Sequence, residues 1–241
     1  MSQIADDLPY RVIETSYARK ALAALALLAV GTAAISFGGE QLGHTLALAG
    51  RSEETRIHRI MIGDEVVAAP ANMIRQQRAR RDGMATRLDL YMRWPEMDGY
   101  SEISHRAFDN VDPDRSLIFM SLESRTMSRD MSGRLEPVYR MLVEPHGSEG
   151  PSNTMLYRFE KNSGYGDEEL VVGQRTSMEP FVARCLIEAG GTETLTPCER
   201  DVSIGAGLSL SYRFSRSLLT DWEKMDAAVI SAASAMVRKL S

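Results

Sequence analysis

Two stretches of this chain alternate apolar and polar side chains with a period of two. That is the pattern of a β-strand with one buried and one wet face. In TRLDLYMRW, residues 86–94, Leu88, Leu90, Met92 and Trp94 share one face, and Arg87, Asp89, Tyr91 and Arg93 the other. In LSLSYRFSR, residues 208–216, Leu208, Leu210, Tyr212 and Phe214 alternate with Ser209, Ser211, Arg213 and Ser215. Weaker versions recur in RIHRIMI and EVVAA, joined by a Gly63-Asp64 turn, and in SLIFMSLES, VYRMLVE, TMLYRFE, ELVVGQR and FVARCLIE. Gly- and Pro-bearing breaks such as EPHGSEGPSN and KNSGYGDE separate several of them. Short strands with few helices between them predict an antiparallel meander rather than a βαβ series.

Two segments carry helical signals instead. PANMIRQQRARRDG opens with Pro70 at a favoured first-turn position and closes at Gly83. TDWEKMDAAVISAASAMVRKLS has capping-box spacing at Thr220 and Glu223, and Trp222, Met225, Val229, Ala232, Met236 and Leu240 recur at three- and four-residue steps. Arg238 and Lys239 sit where a helix dipole favours cations. One apolar stripe predicts a C-terminal amphipathic helix packed on the sheet. The expected fold class is α+β, mainly antiparallel β, with an N-terminal transmembrane helix.

That membrane helix is expected from RKALAALALLAVGTAAISFGGE. Its 19 residues Ala21–Gly39 are uncharged, and as a helix they would cover about 28 Å of the ~30 Å hydrocarbon layer. No polar stripe interrupts them. A cleaved secretion signal, cut after Ser36, is the competing reading, but such signals carry a short basic leader. Here about twenty residues come first, including Asp6, Asp7 and Glu14. Arg19 and Lys20 border the run on one side, and no Lys or Arg follows it until Arg51. The positive flank predicts the N terminus inside. The expected layout is a cytoplasmic tail (1–18), a transmembrane helix (19–39, with 21–39 in the bilayer), a stalk (40–56) and a periplasmic domain (57–241).

Charge and composition narrow the function classes. The chain has 241 residues, 28 Lys+Arg against 33 Asp+Glu, and a formal net charge of −5. An acidic body of this kind excludes a general nucleic-acid binder, which needs a basic face. Mean hydropathy of −0.23 excludes a polytopic membrane protein. Four arginines, Arg75, Arg78, Arg80 and Arg81, crowd into RQQRARR. They form a solvated face or a candidate contact with a partner's carboxylates or with lipid headgroups.

The two cysteines, Cys185 and Cys198, predict a structural disulfide if the body is exported, because an even count in an oxidising compartment pairs. Twelve intervening residues do not suit a redox or metal pair, which favours close C-x-x-C spacing. No H-E-x-x-H, G-x-S-x-G, S-x-x-K, Walker or G-x-G-x-x-G motif is present, so no catalytic residue, metal or cofactor is assigned. His44, His58, His105 and His146 are far apart in sequence. Asp109, Asp112 and Asp114 read as an acidic turn around Pro113.

The segments MIGDEVVAAPANMIR, RLDLYMRWPEMDGYS, GYGDEEL and FVARC resemble a group of alphaproteobacterial single-pass membrane proteins with an exported β-rich domain and no assigned activity. The resemblance implies a bacterial inner membrane, a periplasmic body and no transferable catalytic residue. The expectation is a membrane-anchored periplasmic binding or scaffolding protein with an envelope protein partner. The alternatives are an envelope hydrolase built on His105 or His146 with a carboxylate, or a small-ligand carrier with a closed β-barrel or a sandwich enclosing an apolar cavity.

Overall fold

The structure, a computed structural model, describes residues 19–20, 22–32, 50–109, 116–176, 179–187 and 196–239. The expected tail 1–18, the stalk up to residue 49, His44 and the turn residues Asp112 and Asp114 lie outside them. The chain divides into two compact units, Met1–Gly50 and Arg51–Ser241.

The first unit corrects the expected fold class. Its described helical residues are 19–20 and 22–32, and among the described residues no helix is long and apolar enough to cross a membrane. Ala21 and residues 33–39 of the expected span lie outside the described residues. The fold is therefore mainly antiparallel β with a C-terminal helix, and the transmembrane helix drops out of it.

The second unit is built on a large antiparallel sheet. Its strands are β4 (Arg87–Arg93), β5 (Leu117–Ser124), β6 (Ser148–Glu149), β7 (Thr154–Arg158), β8 (Glu168–Gly173), β9 (Phe181–Leu186), β10 (Cys198–Ile204) and β11 (Leu208–Phe214). They lie in the order β4-β5-β11-β10-β9-β8-β7-β6. The period-2 expectations hold: Leu88, Leu90, Leu208, Leu210, Tyr212 and Phe214 are all buried in one core. Above their face lies a smaller sheet of β1 (Ile57–Ile62), β2 (Glu65–Pro70), β3 (Gly83–Met84) and β12 (Val237–Lys239), together with the helix α2 (Trp222–Met236). The other helix, α1 (His105–Phe108), is a single turn.

The Gly63-Asp64 turn joins β1 and β2, with Gly63 at φ 60°, a left-handed value that glycine adopts without steric cost. Buried Glu65 ties the small sheet to the large one. Its carboxylate accepts the N–H groups of Ala206 (2.9 Å) and Gly207 (2.8 Å) in the β10–β11 turn. A Cβ at Gly205, itself at φ 59°, would sit 2.2 Å from that carboxylate.

Several local expectations fail for identifiable reasons. The segment 70–83 makes two short 3-10 turns, Ala71–Met73 and Gln77–Ala79, instead of a helix. Fully buried Ile74 bridges to Leu90 across the edge of β4, and the Arg75 N–H donates to the Asp89 carbonyl. Sheet pairing thus overrides helix propensity. In VYRMLVE only a bridge from Val143 to Phe159 forms. The Thr220 hydroxyl donates to the Ser217 carbonyl and so caps nothing in α2. The chain leaves the helix at Met236, where Val237–Lys239 pairs with β2.

Cys185 and Cys198 are directly opposed on β9 and β10 and form a fully buried disulfide, Cα to Cα 4.0 Å. Beyond Cys185↔Cys198 and Arg184↔Glu199 the two strands have no further register, so the bond lies where the sheet begins to part. Replacing both cysteines with alanine is expected to cost about 3 kcal/mol by releasing the loop constraint on the unfolded chain. Urea unfolding of the oxidised protein against that double variant measures it; equal midpoints would show that the bond constrains nothing.

Candidate functional site

The large sheet has two outer halves of different character. Over β7–β9 the segment 130–143 covers it. Met131, Leu135, Tyr139 and Val143 pack with Phe159 on Leu170, Val172 and Val182. Over β4, β5, β11 and β10 much of the polar phase stays open to solvent, although Tyr91 and Ser121 are buried. The side chains of Arg87, Glu123 and Arg213 are 55%, 46% and 56% exposed.

This open half carries paired charges. The Arg87 guanidinium donates to Asp89 (2.7 Å) and Ser121 (2.5 Å), and Arg213 lies 3.2 Å from Glu199. Asp89 also accepts from the Ser121 hydroxyl and from the Gln76 amide at 3.1 Å. Burial alone would raise the Asp89 carboxyl. The hydrogen bonds from Ser121 and Arg87 outweigh it and hold the group below the usual carboxylate range. A shallow cavity of about 310 Å³ lies on this face, with Phe119, Glu123 and Glu199 in its lining.

Along the β4 edge this face runs into a groove of about 450 Å³, which also has Arg87 in its wall. Ile60 and Leu88 contribute apolar surface; Arg78, Arg81, Asp82 and Met84 line the rest. The four arginines expected to act together separate here. Arg75 lies over the Phe119 ring, 4.9 Å from its centroid. The Arg78 Nε donates to Gln76 at 2.9 Å. Arg80 turns inward, its Nε donating to the Ile74 carbonyl at 3.1 Å and its buried Nη2 without a partner. Arg81 is exposed. Among the described residues none of the four has a carboxylate within ion-pair distance.

A second cluster was missed in the sequence. Where β9 and β10 part, Arg200 of β10 fills the gap. Its Nη1 donates to the Val182 carbonyl (2.9 Å) and Ser132 Oγ (3.0 Å), and its Nε to Asp226 Oδ1 (3.0 Å). Asp130 Oδ2 accepts the Ser203 N–H at 3.1 Å, supplying the acceptor that β9 does not. Asp226, fully buried on α2, also accepts from the Tyr212 hydroxyl and from Arg175. Every strong group here has a partner, so the cluster is structural. The signal for it was in the pattern: Arg200 and Asp226 are opposite charges, each at an inward-facing position.

Burial, then the Asp226 charge, pushes the Tyr212 hydroxyl well above the ordinary tyrosine value. Burial also raises Tyr91 and Tyr139. A raised phenol contributes stability that is complete below the unfolded-state value, about 10, and is lost as pH rises toward the folded value. Urea midpoints should hold steady below about pH 10 and fall above it; a flat profile through that range would contradict the burial of these hydroxyls.

Among the described residues, His58, His105 and His146 do not assemble a site. His58 is buried with Nδ1 3.3 Å from Asp82, which the Arg59 N–H and His58 together hold below the usual carboxylate range. His105 Nδ1 meets the Glu102 carbonyl at 2.7 Å, and His146 is exposed. Among the described residues no group of three or more His, Cys, Asp or Glu is placed to hold a metal ion. A small-ligand carrier would show a closed β-barrel or a sandwich with an apolar cavity; the large sheet here is open-edged and not a closed barrel. Trp94 packs against the core, and Tyr100 is buried edge-on to Phe108.

No family model and no curated protein matches this sequence. Two solved structures are similar to it. One is an immunity protein of the Stenotrophomonas maltophilia type IV secretion system, at 15% identity and a TM-score of 0.51, covering 77% of this chain and 95% of that one. The other is the iron-regulated outer membrane lipoprotein FrpD of Neisseria meningitidis, at 10% identity and a TM-score of 0.45, covering 77% of this chain and 98% of that one. At these identities the likeness bears on the fold alone, and only the first is close enough for that.

Proposed function

We propose that this chain is a non-catalytic binding protein of the bacterial cell envelope that engages a protein partner through the open half of its large sheet. The observation that carries the reading is the asymmetry of that sheet. One outer half is sealed by residues 130–143, while the other presents Arg87, Glu123, Glu199 and Arg213 to solvent on a rigid scaffold. A flat, charged, pre-organised face of this kind suits protein recognition, where complementary charge sets register and partner choice. The buried disulfide fits an oxidising compartment. The fold shared with an immunity protein and the resemblance to alphaproteobacterial envelope proteins point the same way.

Crosslinking in native envelopes tests this. A photoreactive residue in place of Ser211, on the open face, is expected to capture a protein neighbour. The same residue in place of Lys161, in the loop between β7 and β8, is not. Equal capture from both positions, or none from Ser211, would sink the assignment.

A further inference from the structure

We propose that the groove between β3 and β4 receives an acidic segment of the partner protein, an inference that rests on the envelope-binding role above. Charge pairing divides the arginines of this surface into two classes. Arg87 and Arg213 each have a carboxylate of this chain beside them, Asp89 and Glu199. Arg78 and Arg81 line the groove and are exposed, and Arg75 stands beside it over Phe119; among the described residues none of the three has a carboxylate within ion-pair distance. Two exposed arginines without an ion-pair partner thus stand in the groove wall, whose one carboxylate, Asp82, is already engaged by the Arg59 N–H and His58.

The guanidinium of Arg78 is also pre-oriented. Asp89 accepts from the Gln76 amide, and the Gln76 carbonyl oxygen accepts from Arg78 Nε. The terminal nitrogens of Arg78 remain available for the two-point contact that a carboxylate makes with arginine. Arg75 is steadied by the Phe119 ring beneath it. At the rim Met84 is 85% exposed, an adaptable apolar contact for the partner's neighbouring side chains. An anionic bilayer fits poorly by comparison. Glu123 and Glu199 line the adjoining depression and would repel a flat negative surface, whereas a narrow segment lies in the groove clear of them.

The test uses the purified full chain and a fluorescent glutamate-rich peptide, with a glutamine-rich peptide of equal length as its control. The glutamate peptide is expected to bind, to weaken with added salt, and to lose roughly tenfold in affinity in Arg78→Glu and in Arg81→Glu, since reversal turns attraction into repulsion at close range. Arg129→Glu, an exposed arginine on another loop, should bind as the parent does. Equal binding of the glutamine peptide, unchanged affinity in Arg78→Glu, or capture by phosphatidylglycerol vesicles without peptide binding would each overturn the proposal. Envelope crosslinking from Ser211 separates the two levels. A partner captured equally by the parent and by Arg78→Glu removes the groove and leaves the binding role standing; no partner from either removes the role itself.

Discussion

Asp226→Ala is expected to cost the fold about 3–5 kcal/mol, because it strands a buried guanidinium. Arg200 is 2% exposed and has this carboxylate as its counter-charge, at 3.0 Å. Arg175 and the Tyr212 hydroxyl point at the same two oxygens. Removing the carboxylate deprives all three at once, and Arg200 is itself almost fully buried. Asp226→Asn keeps the shape and one acceptor oxygen, so it should fall between the parent and alanine. Replacing Arg200 and Asp226 together by leucine should cost less than Asp226→Ala alone, since no charge is then left unpaired. Urea midpoints at constant slope measure all three; a loss below about 1 kcal/mol in Asp226→Ala would mean that Arg200 finds water instead.

The same pair marks where the sequence stopped being legible. Alternation identifies β4 and β11 because each has one uniformly apolar phase and the sheet buries that phase. In CERDVSI, now β10, the inward phase is Cys198, Arg200, Val202 and Ile204. A charge in that phase conceals a strand from any hydrophobic pattern. Asp226 likewise sits beside Met225 within the buried face of α2. Only the two interruptions taken together make sense of each other, and they come together only when α2 packs over β10.

The arginine groove was half legible. RQQRARR announces positive charge, but helical spacing would have put Arg75, Arg78 and Arg81 on neighbouring turns. The Ile74–Leu90 bridge pulls that segment onto the sheet edge instead. It turns Arg80 inward and leaves the other three outward. The apolar run near the N terminus misled in the opposite direction. Its composition satisfied every local criterion for a membrane span, yet among the described residues no helix is long and apolar enough to cross a membrane.

Trp222→Ala should approach the Asp226 effect, at about 3–5 kcal/mol. This side chain is the one large anchor by which the first turn of α2 holds the far half of the sheet. It is 1% exposed, lies 4.8 Å from the Phe181 ring, and its indole N–H donates to the Ser152 carbonyl at 3.1 Å. Its fit depends on Gly173 of β8, where a Cβ would come within 2.6 Å of the indole. That contact makes the two positions a coupled pair. Gly173→Ala alone should cost about 1–3 kcal/mol through overpacking. In the Trp222→Ala background the same change meets no indole, and its cost should nearly vanish, leaving a coupling energy of about 1–3 kcal/mol. Trp222→Phe keeps the ring contact but leaves the Ser152 carbonyl without its donor, and should lose about 1–3 kcal/mol. Strict additivity of Gly173→Ala and Trp222→Ala would show that the indole is not seated on β8. A coupled pair instead fixes the first turn of α2 to β8 and β9, while Arg200 and Tyr212 hold its next turn to β10 and β11 through Asp226.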